Sequence, residues 1–152
     1  MNIFKAKTPK RIIGDFGEKR AMWHLIKKGY RILERSYKAE GAEIDIIARK
    51  KDITAFVEVK ARNVKHLGYM ESRPASAVTP EKQRKIIKTA GQYRSTHPFK
   101  GKMRYDIIEV YLEDGKNRPR VKEIKHLEAS FTLDTAYDAS YYYKRKKEGS
   151  VL

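Results

Sequence analysis

Two strongly apolar segments, separated by four polar residues, constrain the fold of this chain more than any other feature. Glu43 to Ala48 (EIDIIA) and Ile53 to Arg62 (ITAFVEVKAR) are rich in β-branched and aromatic residues, which favour β-strands. The RKKD stretch between the main apolar runs is short and polar, so a hairpin is the simplest connection. The pattern therefore predicts two buried, antiparallel strands.

The second of these strands alternates strictly, because every odd-numbered position from 53 to 61 is apolar. Glu58 and Lys60 are thereby expected together on the opposite face, about 7 Å apart. In a hairpin closed by an even-numbered loop, odd positions of the first strand share a face with even positions of the second. Asp45, with Glu43, should then lie on the face of Glu58 and Lys60, unless an odd loop or a bulge intervenes.

Two carboxylates and an ammonium group on one sheet face suit a divalent-metal phosphodiesterase. Asp45 and Glu58 offer hard oxygen ligands for Mg²⁺, and Lys60 can orient the nucleophile and offset charge that develops on phosphorus. Glu18 falls on the apolar face of a predicted helix, where acids are rare, and could hold a water at the metal. The alternative is an ordinary cross-strand ion pair on a solvated face.

An acid-x-base triplet is weak evidence by itself in so charged a chain. Glu123-Ile124-Lys125, preceded by Asp106, repeats the same pattern. The favoured set lies on two strongly apolar strands, whereas the RVKEIK segment around Glu123 is typical of an exposed edge strand. We therefore place the candidate site at Asp45, Glu58 and Lys60.

The remaining periodicity predicts an α/β fold with a mixed central sheet flanked by helices, N-terminal helix first. Residues 1–131 are expected to form one domain with a basic arm at 1–11, followed by a basic, Tyr- and Lys-rich, flexible tail at 132–152. The other expected elements are a helix from Asp15 to Lys28 closed by Gly29, a strand from Tyr30 to Tyr37, a loop from Asn63 to Thr79, a helix from Pro80 to Thr96, and strands from Arg104 to Leu112 and Arg120 to Lys125.

The net charge of the chain indicates the class of molecule that it binds. The chain carries a formal net charge of +16 on 152 residues and contains no Cys, which excludes disulfides, zinc ribbons and thiol nucleophiles. No apolar stretch approaches the ~18 residues of a membrane span, and we expect a cytoplasmic protein. A surplus this large favours nucleic acid as partner over a merely soluble basic surface.

Several motifs together resemble one known family. They are G-x-x-G-E-x-x-A at Gly14 to Ala21, K-K-G-Y-R-I-L-E-R at Lys27 to Arg35, E-I-D-I-I-A at Glu43 to Ala48, F-V-E-V-K-A-R at Phe56 to Arg62, A-V-T-P-E-K-Q-R at Ala77 to Arg84, R-Y-D-I-I-E-V at Arg104 to Val110 and K-H-L-E-A-S-F at Lys125 to Phe131. In register and order, they resemble the YraN-like proteins, an uncharacterised group assigned to the restriction-endonuclease-like, PD-(D/E)XK, nuclease superfamily. The chain is similar, more distantly, to archaeal Holliday-junction resolvases.

The resemblance implies a restriction-endonuclease-like core and Mg²⁺-dependent cleavage, with Mn²⁺ as a substitute. The implied site residues are Glu18, Asp45, Glu58, Lys60 and Gln83, with Asp45, Glu58 and Val59 at the metal. The resemblance favours DNA over RNA as partner, and the analogy with resolvases suggests a homodimer. We expect cleavage of structure-specific DNA such as junctions, flaps or damaged sites; the alternative is a non-catalytic nucleic-acid-binding module that keeps the fold.

A few residues remain outside this scheme. Asp106 is equally well explained as a buried supporting carboxylate or as a strand-end Asp that binds backbone. Trp23 is expected in the core rather than as a platform on which bases stack. The four His residues, which lack metal-ligand spacing, are expected on the surface or in loops: His24, His66, His97 and His126. Tyr141 to Tyr143, before KRKK, could stack on bases, although a solvated tail is the simpler interpretation.

Overall fold

The structure is a computed structural model that describes residues 9–39, 41–64 and 78–137. Its elements follow one another as α1 (Pro9–Lys27), β1 (Arg31–Ala39), β2 (Ala42–Lys50), β3 (Ile53–Asn63), α2 (Pro80–Thr96), β4 (Lys102–Glu113), β5 (Arg120–Phe131) and α3 (Leu133–Tyr137). This order confirms the predicted α/β class with the N-terminal helix first.

The five strands form one mixed sheet in the order β1-β2-β3-β4-β5. Neighbouring strands are antiparallel except β3 and β4, which are parallel and joined through α2. Helix α1 packs on one face, where Ala21 and Leu25 contact the core around Val57. Helix α2 packs on the other face, where Ile86 and Tyr93 join the core around Phe56. The sheet is thus flanked by helices, as predicted.

Helix α1 begins at Pro9, earlier than the predicted Asp15, and ends where expected. Gly29 adopts φ +90°, a left-handed conformation that favours glycine and stops the helix. Gly17 lies against β3 so closely that a Cβ on it would come within 2.5 Å of the Ala61 Cβ. A glycine at this position therefore sets the distance between α1 and the sheet.

Helix α2 has the predicted bounds, and its cap explains why. The Thr79 side chain accepts a hydrogen bond from the backbone N–H of Lys82, and Pro80 follows at the first helical position. Among the described residues, neither α2 nor any other helix has the length and apolar character that crossing a membrane requires.

Strand β5 is an exposed edge strand, as predicted, but it continues beyond the predicted Lys125 to Phe131. Residues 133–137, within the predicted tail, form α3, where the Arg84 guanidinium donates to the Ala136 carbonyl oxygen. The predicted arm at residues 1–8 and the tail from residue 138 lie outside the described residues. The domain division stays a prediction.

Candidate active site

The hairpin between β2 and β3 has the predicted even-numbered connection. Only Lys51 and Asp52 separate the strands, and the register pairs Ile46 with Val57. Beyond this pair the ladder is replaced by a side-chain contact, because the Asp45 Oδ2 accepts a hydrogen bond from the Val59 N–H at 2.7 Å. Asp45 thus lies where the two strands begin to separate.

Strict alternation does not continue through Asp45. Ile46 packs in the core under α1, but Ile44, two residues earlier, packs in the core under α2. The face argument that placed Asp45 with Glu58 is therefore incomplete, since β2 changes the faces of its side chains at this point. The consequence is that Asp45 can contact groups from both sides of the sheet.

Glu18 reaches Asp45 from helix α1, with which it shares a side-chain hydrogen bond. Gly17, the preceding residue, is buried against β3 and allows this approach. Partial burial raises the pKa of Glu18 above its ordinary value, and the nearby charges of Glu43 and Asp15 raise it further. Two carboxyl groups that share a hydrogen bond must hold a proton between them or attract a cation.

Burial also raises the pKa of Asp45 to about 7, opposed by the Val59 N–H and reinforced by the charge of Glu18. Burial also raises the pKa of Glu58 to about 7, and the negative charge of the nearby Asp45 raises it further. The cations near Glu58 only partly offset this burial. Asp45 and Glu58 therefore lie close to one another, and both hold their protons more tightly than exposed carboxyl groups do.

Glu58 has two cationic neighbours. The Lys60 Nζ lies 3.3 Å from the Glu58 Oε1, and the Lys82 Nζ lies 3.9 Å from the same oxygen. The other oxygen, Oε2, is buried and has no hydrogen-bond donor within the described part of the chain. One side of this carboxylate is therefore available to a further ligand.

Gln83 lies beside Lys82 on the first turn of α2, and its side chain is buried. Its Nε2 donates to the Val78 carbonyl oxygen at 3.0 Å. Its Oε1, like the Glu58 Oε2, is a buried acceptor without a donor among the described residues. The contribution of Gln83 to the site stays a prediction, but its amide oxygen is available to accept a hydrogen bond from a ligand.

The donor set fits a small hard cation. Asp45 and Glu58 supply carboxylate oxygens, one of them buried without a donor, and Val59 lies between Glu58 and Lys60. Mg²⁺ takes one or two protein carboxylates and completes its shell with water and phosphate oxygens. Across residues 9–39, 41–64 and 78–137, no group of three His, Cys, Asp or Glu side chains is placed to hold a metal ion.

The structure places two further residues near the site that the sequence patterns did not indicate. Lys82 contacts Glu58, and its place in the first turn of the helix that carries Gln83 was the available signal. Glu109 is fully buried, pairs in register with Lys60 and accepts a hydrogen bond from the Tyr111 hydroxyl at 2.5 Å. An acid within the apolar run RYDIIEVYL could have marked this position.

A second carboxylate cluster surrounds Asp106, away from these residues. Asp106 is fully buried and accepts hydrogen bonds from Arg104 at 2.7 Å and 2.8 Å, from the backbone of Ala129 at 3.0 Å, and contacts the His126 Nε2 at 2.8 Å. Asp106 is therefore a buried supporting carboxylate that also accepts a backbone hydrogen bond, but it lies within β4 rather than at a strand end. The prediction that His126 lies on the surface is wrong, since its side chain contacts Asp106 and is only 3% exposed.

Other single-residue predictions have mixed outcomes. Trp23 is 47% exposed, so its assignment to the core is wrong: it lies on the side of α1 that faces β5, beyond which the described residues provide no further strand. His97 is exposed and His24 is half-buried. His66 and Tyr141 to Tyr143 lie outside the described residues.

Comparison with known proteins confirms the family but leaves the chemistry of the site untested. The model of an uncharacterised protein family, UPF0102, matches residues 17–110. This segment contains every candidate site residue, from Glu18 to Gln83.

Several relatives share most of their length with this chain. A UPF0102 protein from Caldanaerobacter subterraneus is 45% identical over 111 residues, which cover 72% of this chain and 88% of the relative. Relatives from Chlorobium phaeobacteroides and Clostridioides difficile are each 40% identical, over 78% of this chain and 93% and 95% of their own lengths. The similarity therefore extends across nearly the whole of these proteins.

Proposed function

The chain belongs to the uncharacterised protein family UPF0102, and we propose that it is a metal-dependent endonuclease of the restriction-endonuclease-like superfamily. Its substrate is DNA, structure-specific rather than sequence-specific, and Mg²⁺ is its cofactor. Asp45, Glu58 and Val59 hold the metal, with Glu18, Lys60 and Gln83 around it.

One observation carries this proposal: a cluster of buried acids lies within a chain of net charge +16. Burial raises the pKa values of Asp45 and Glu58 to about 7, so these acids are costly to ionise without a cation. Strongly shifted carboxyl groups that converge from separate elements are typical of functional sites rather than of structural ion pairs. A divalent cation would remove the repulsion, and the basic surface would bring phosphates to it.

The residues of the chain then have separate tasks. A Mg²⁺ ion held by Asp45 and Glu58 would supply polarisation of the phosphate and a lowered pKa for a water molecule. Lys60, held 3.3 Å from Glu58, orients the nucleophile and offsets negative charge that develops on phosphorus. Glu18 accepts a proton or holds a water from the α1 side, because its carboxyl group already contacts Asp45.

The test is a cleavage panel with Mg²⁺ on single-stranded, duplex, flap, four-way-junction and RNA substrates. Wild type should cut at least one DNA structure, and Asp45→Asn, Glu58→Ala and Lys60→Ala should each lower the rate by about a hundredfold or more, the usual loss for a group that stabilises the transition state. The rates are measured in single turnover, with EDTA as the metal-free blank.

The chain supplies its own matched control, since Glu123 and Lys125 repeat the acid-x-base spacing on the exposed edge strand. Glu123→Ala should cut as fast as wild type. Absence of cleavage of every substrate, or equal rates for Glu58→Ala and Glu123→Ala, would disprove the assignment of the site.

The second candidate is a nucleic-acid-binding module without catalysis. It is favoured by the lack, in the described ranges, of three acid, His or Cys side chains grouped for a metal ion. Metal binding separates the two candidates. An enzyme should bind Mg²⁺ or Mn²⁺ at about millimolar concentration and lose that binding in Asp45→Asn, whereas a binding module should be indifferent to the metal. Isothermal titration calorimetry measures this difference directly.

A further inference from the structure

An open groove lies on the opposite side of α1 from Glu18. Its volume is about 660 Å³, and it runs between the helix and the turn that joins β4 to β5. The helix contributes Phe16, Lys19, Arg20 and Trp23, and the turn contributes residues 115–121. We call it the Trp23 groove.

The Trp23 groove combines one large exposed aromatic ring with positive charge. Trp23 is 47% exposed, and a second cavity of about 240 Å³ on the Lys27 side shares it with the first. Lys19, Lys116 and Arg118 are exposed at the groove and have no acidic partner within the described part of the chain. No Asp or Glu is among the described residues that line it. Phe16, Pro119 and Val121 also line the groove beside Trp23, and an exposed apolar patch bordered by charged side chains is typical of a binding surface.

The groove lies close to the candidate active site. Phe16 lines the groove, Gly17 lies against Ala61 of β3, and Glu18 holds Asp45, so three consecutive residues of α1 connect the two places. The β4–β5 turn also adjoins the end of β3, because the Asn63 Nδ2 donates to the Asp114 Oδ1 at 2.9 Å. A strand held in the groove would therefore lie against the helix that carries Glu18.

We propose that the Trp23 groove binds an unpaired strand of nucleic acid, with a base stacked on the Trp23 ring and phosphates at Lys19, Lys116 and Arg118. An aromatic ring among cations is the usual platform for unpaired bases, whose faces are free, whereas paired bases in a duplex are already stacked. A second copy of the chain fits poorly, because a two-fold contact would place these like charges against one another. This inference rests on the proposed nucleic-acid partner but not on catalysis.

Trp23 is the only tryptophan of the chain, so its fluorescence reports on this groove alone. The full chain in EDTA is titrated with a twelve-nucleotide oligo(dT), a hairpin duplex of equal length, and inorganic polyphosphate. Oligo(dT) should quench the emission saturably and more strongly than either other probe. A parallel titration with oligo(U) compares RNA with DNA. Equal affinity would mean that the groove accepts a single strand of either nucleic acid.

Variants test the two parts of the contact by anisotropy of a labelled oligo(dT). Trp23→Ala should weaken binding by about tenfold or more, the loss expected for one stacked base, and Trp23→Phe should restore much of it. Lys116→Ala should weaken binding and lower its salt dependence more than Lys88→Ala, an exposed lysine of α2 that serves as the matched control.

Saturable oligo(dT) binding without quenching, equal affinity of Trp23→Ala and wild type, or equal quenching by polyphosphate would overturn the proposal. So would an emission that changes with protein concentration alone, since that would indicate a second copy in the groove. Asp45→Asn should keep the quenching in full. Absence of cleavage by wild type together with intact quenching would refute the proposed enzyme and leave the groove, whereas cleavage by wild type without quenching would refute only the groove.

Discussion

The protein buries two groups of carboxylates, and they differ in how their charge is balanced. Asp106 is fully buried, yet its pKa lies below the ordinary value, because hydrogen bonds from His126, Arg104 and Ala129 outweigh the cost of burial. Asp45 and Glu58 are also withdrawn from water, but burial and mutual repulsion raise the pKa of each to about 7. Similar burial thus gives opposite pKa shifts.

The difference distinguishes a carboxylate that stabilises the fold from carboxylates that can bind a ligand. The Asp106 cluster is complete, since each of its contacts is made by the chain, and it joins β4 to β5. The cluster at Asp45 is incomplete, with a buried Glu58 oxygen lacking a donor among the described residues. A buried charge without compensation is costly, and it persists where a ligand supplies the missing charge. Three experiments test this contrast.

The largest expected effect is on stability, and it belongs to Asp106. Asp106→Asn leaves Arg104 beside a neutral partner and should lower the free energy of unfolding by about 3 kcal/mol. Asp45→Asn, which relieves repulsion, should not lower it in EDTA at pH 7.5. Urea denaturation followed by circular dichroism measures both variants. Equal losses would mean that the two clusters serve the same structural purpose.

The next effect is the dependence of stability on pH. Asp45 and Glu58 bind protons more tightly in the folded than in the unfolded state, so metal-free wild type should lose a few kcal/mol of stability as pH rises from 5 to 8. The lowered pKa of Asp106 acts in the opposite direction: its contribution is constant in this range and is lost only as pH falls below its ordinary pKa. Asp45→Asn should flatten the slope, and Asp106→Asn should leave it unchanged.

The smallest effect concerns the approach of α1 to the site. Gly17→Ala places a methyl group against Ala61 and should lower the free energy of unfolding by about 1–2 kcal/mol while moving Glu18 away from Asp45. Gly14→Ala is the matched control on the same helix, because nothing lies within 4 Å of its added Cβ, and it should stabilise slightly. Thermal unfolding compares the two. A tolerated Gly17→Ala would show that α1 does not need this close contact.

Much of the framework could be predicted because it depends on local patterns. Three features depend only on residues that are close together in the sequence: the alternation in β3, the two-residue connection after Lys50 and the Thr79 cap of α2. Glu18 could be singled out because an acid among apolar helix positions is unusual. These short-range signals suffice to bring the candidate acids of β2 and β3 together.

The failures come from contacts that no local pattern contains. His126 is buried because Asp106 of the neighbouring strand needs a partner, and their register includes a bulge. Trp23 is exposed because β5, the last strand of the sheet, leaves that side of α1 uncovered. The change of faces at Asp45, which lets Glu18 reach it, likewise depends on how the strands separate in space.

The two outer strands have a consequence for assembly. The edge strand β1 has a bulge between Ile32 and Glu34, and the opposite edge, β5, has its own irregularities and a residue, Ala129, at φ +50°. Bulges and charged side chains on edges prevent sheets from extending into a neighbouring molecule. Any contact between two copies of this chain would therefore form through helices or loops, and each sheet would end within its own molecule.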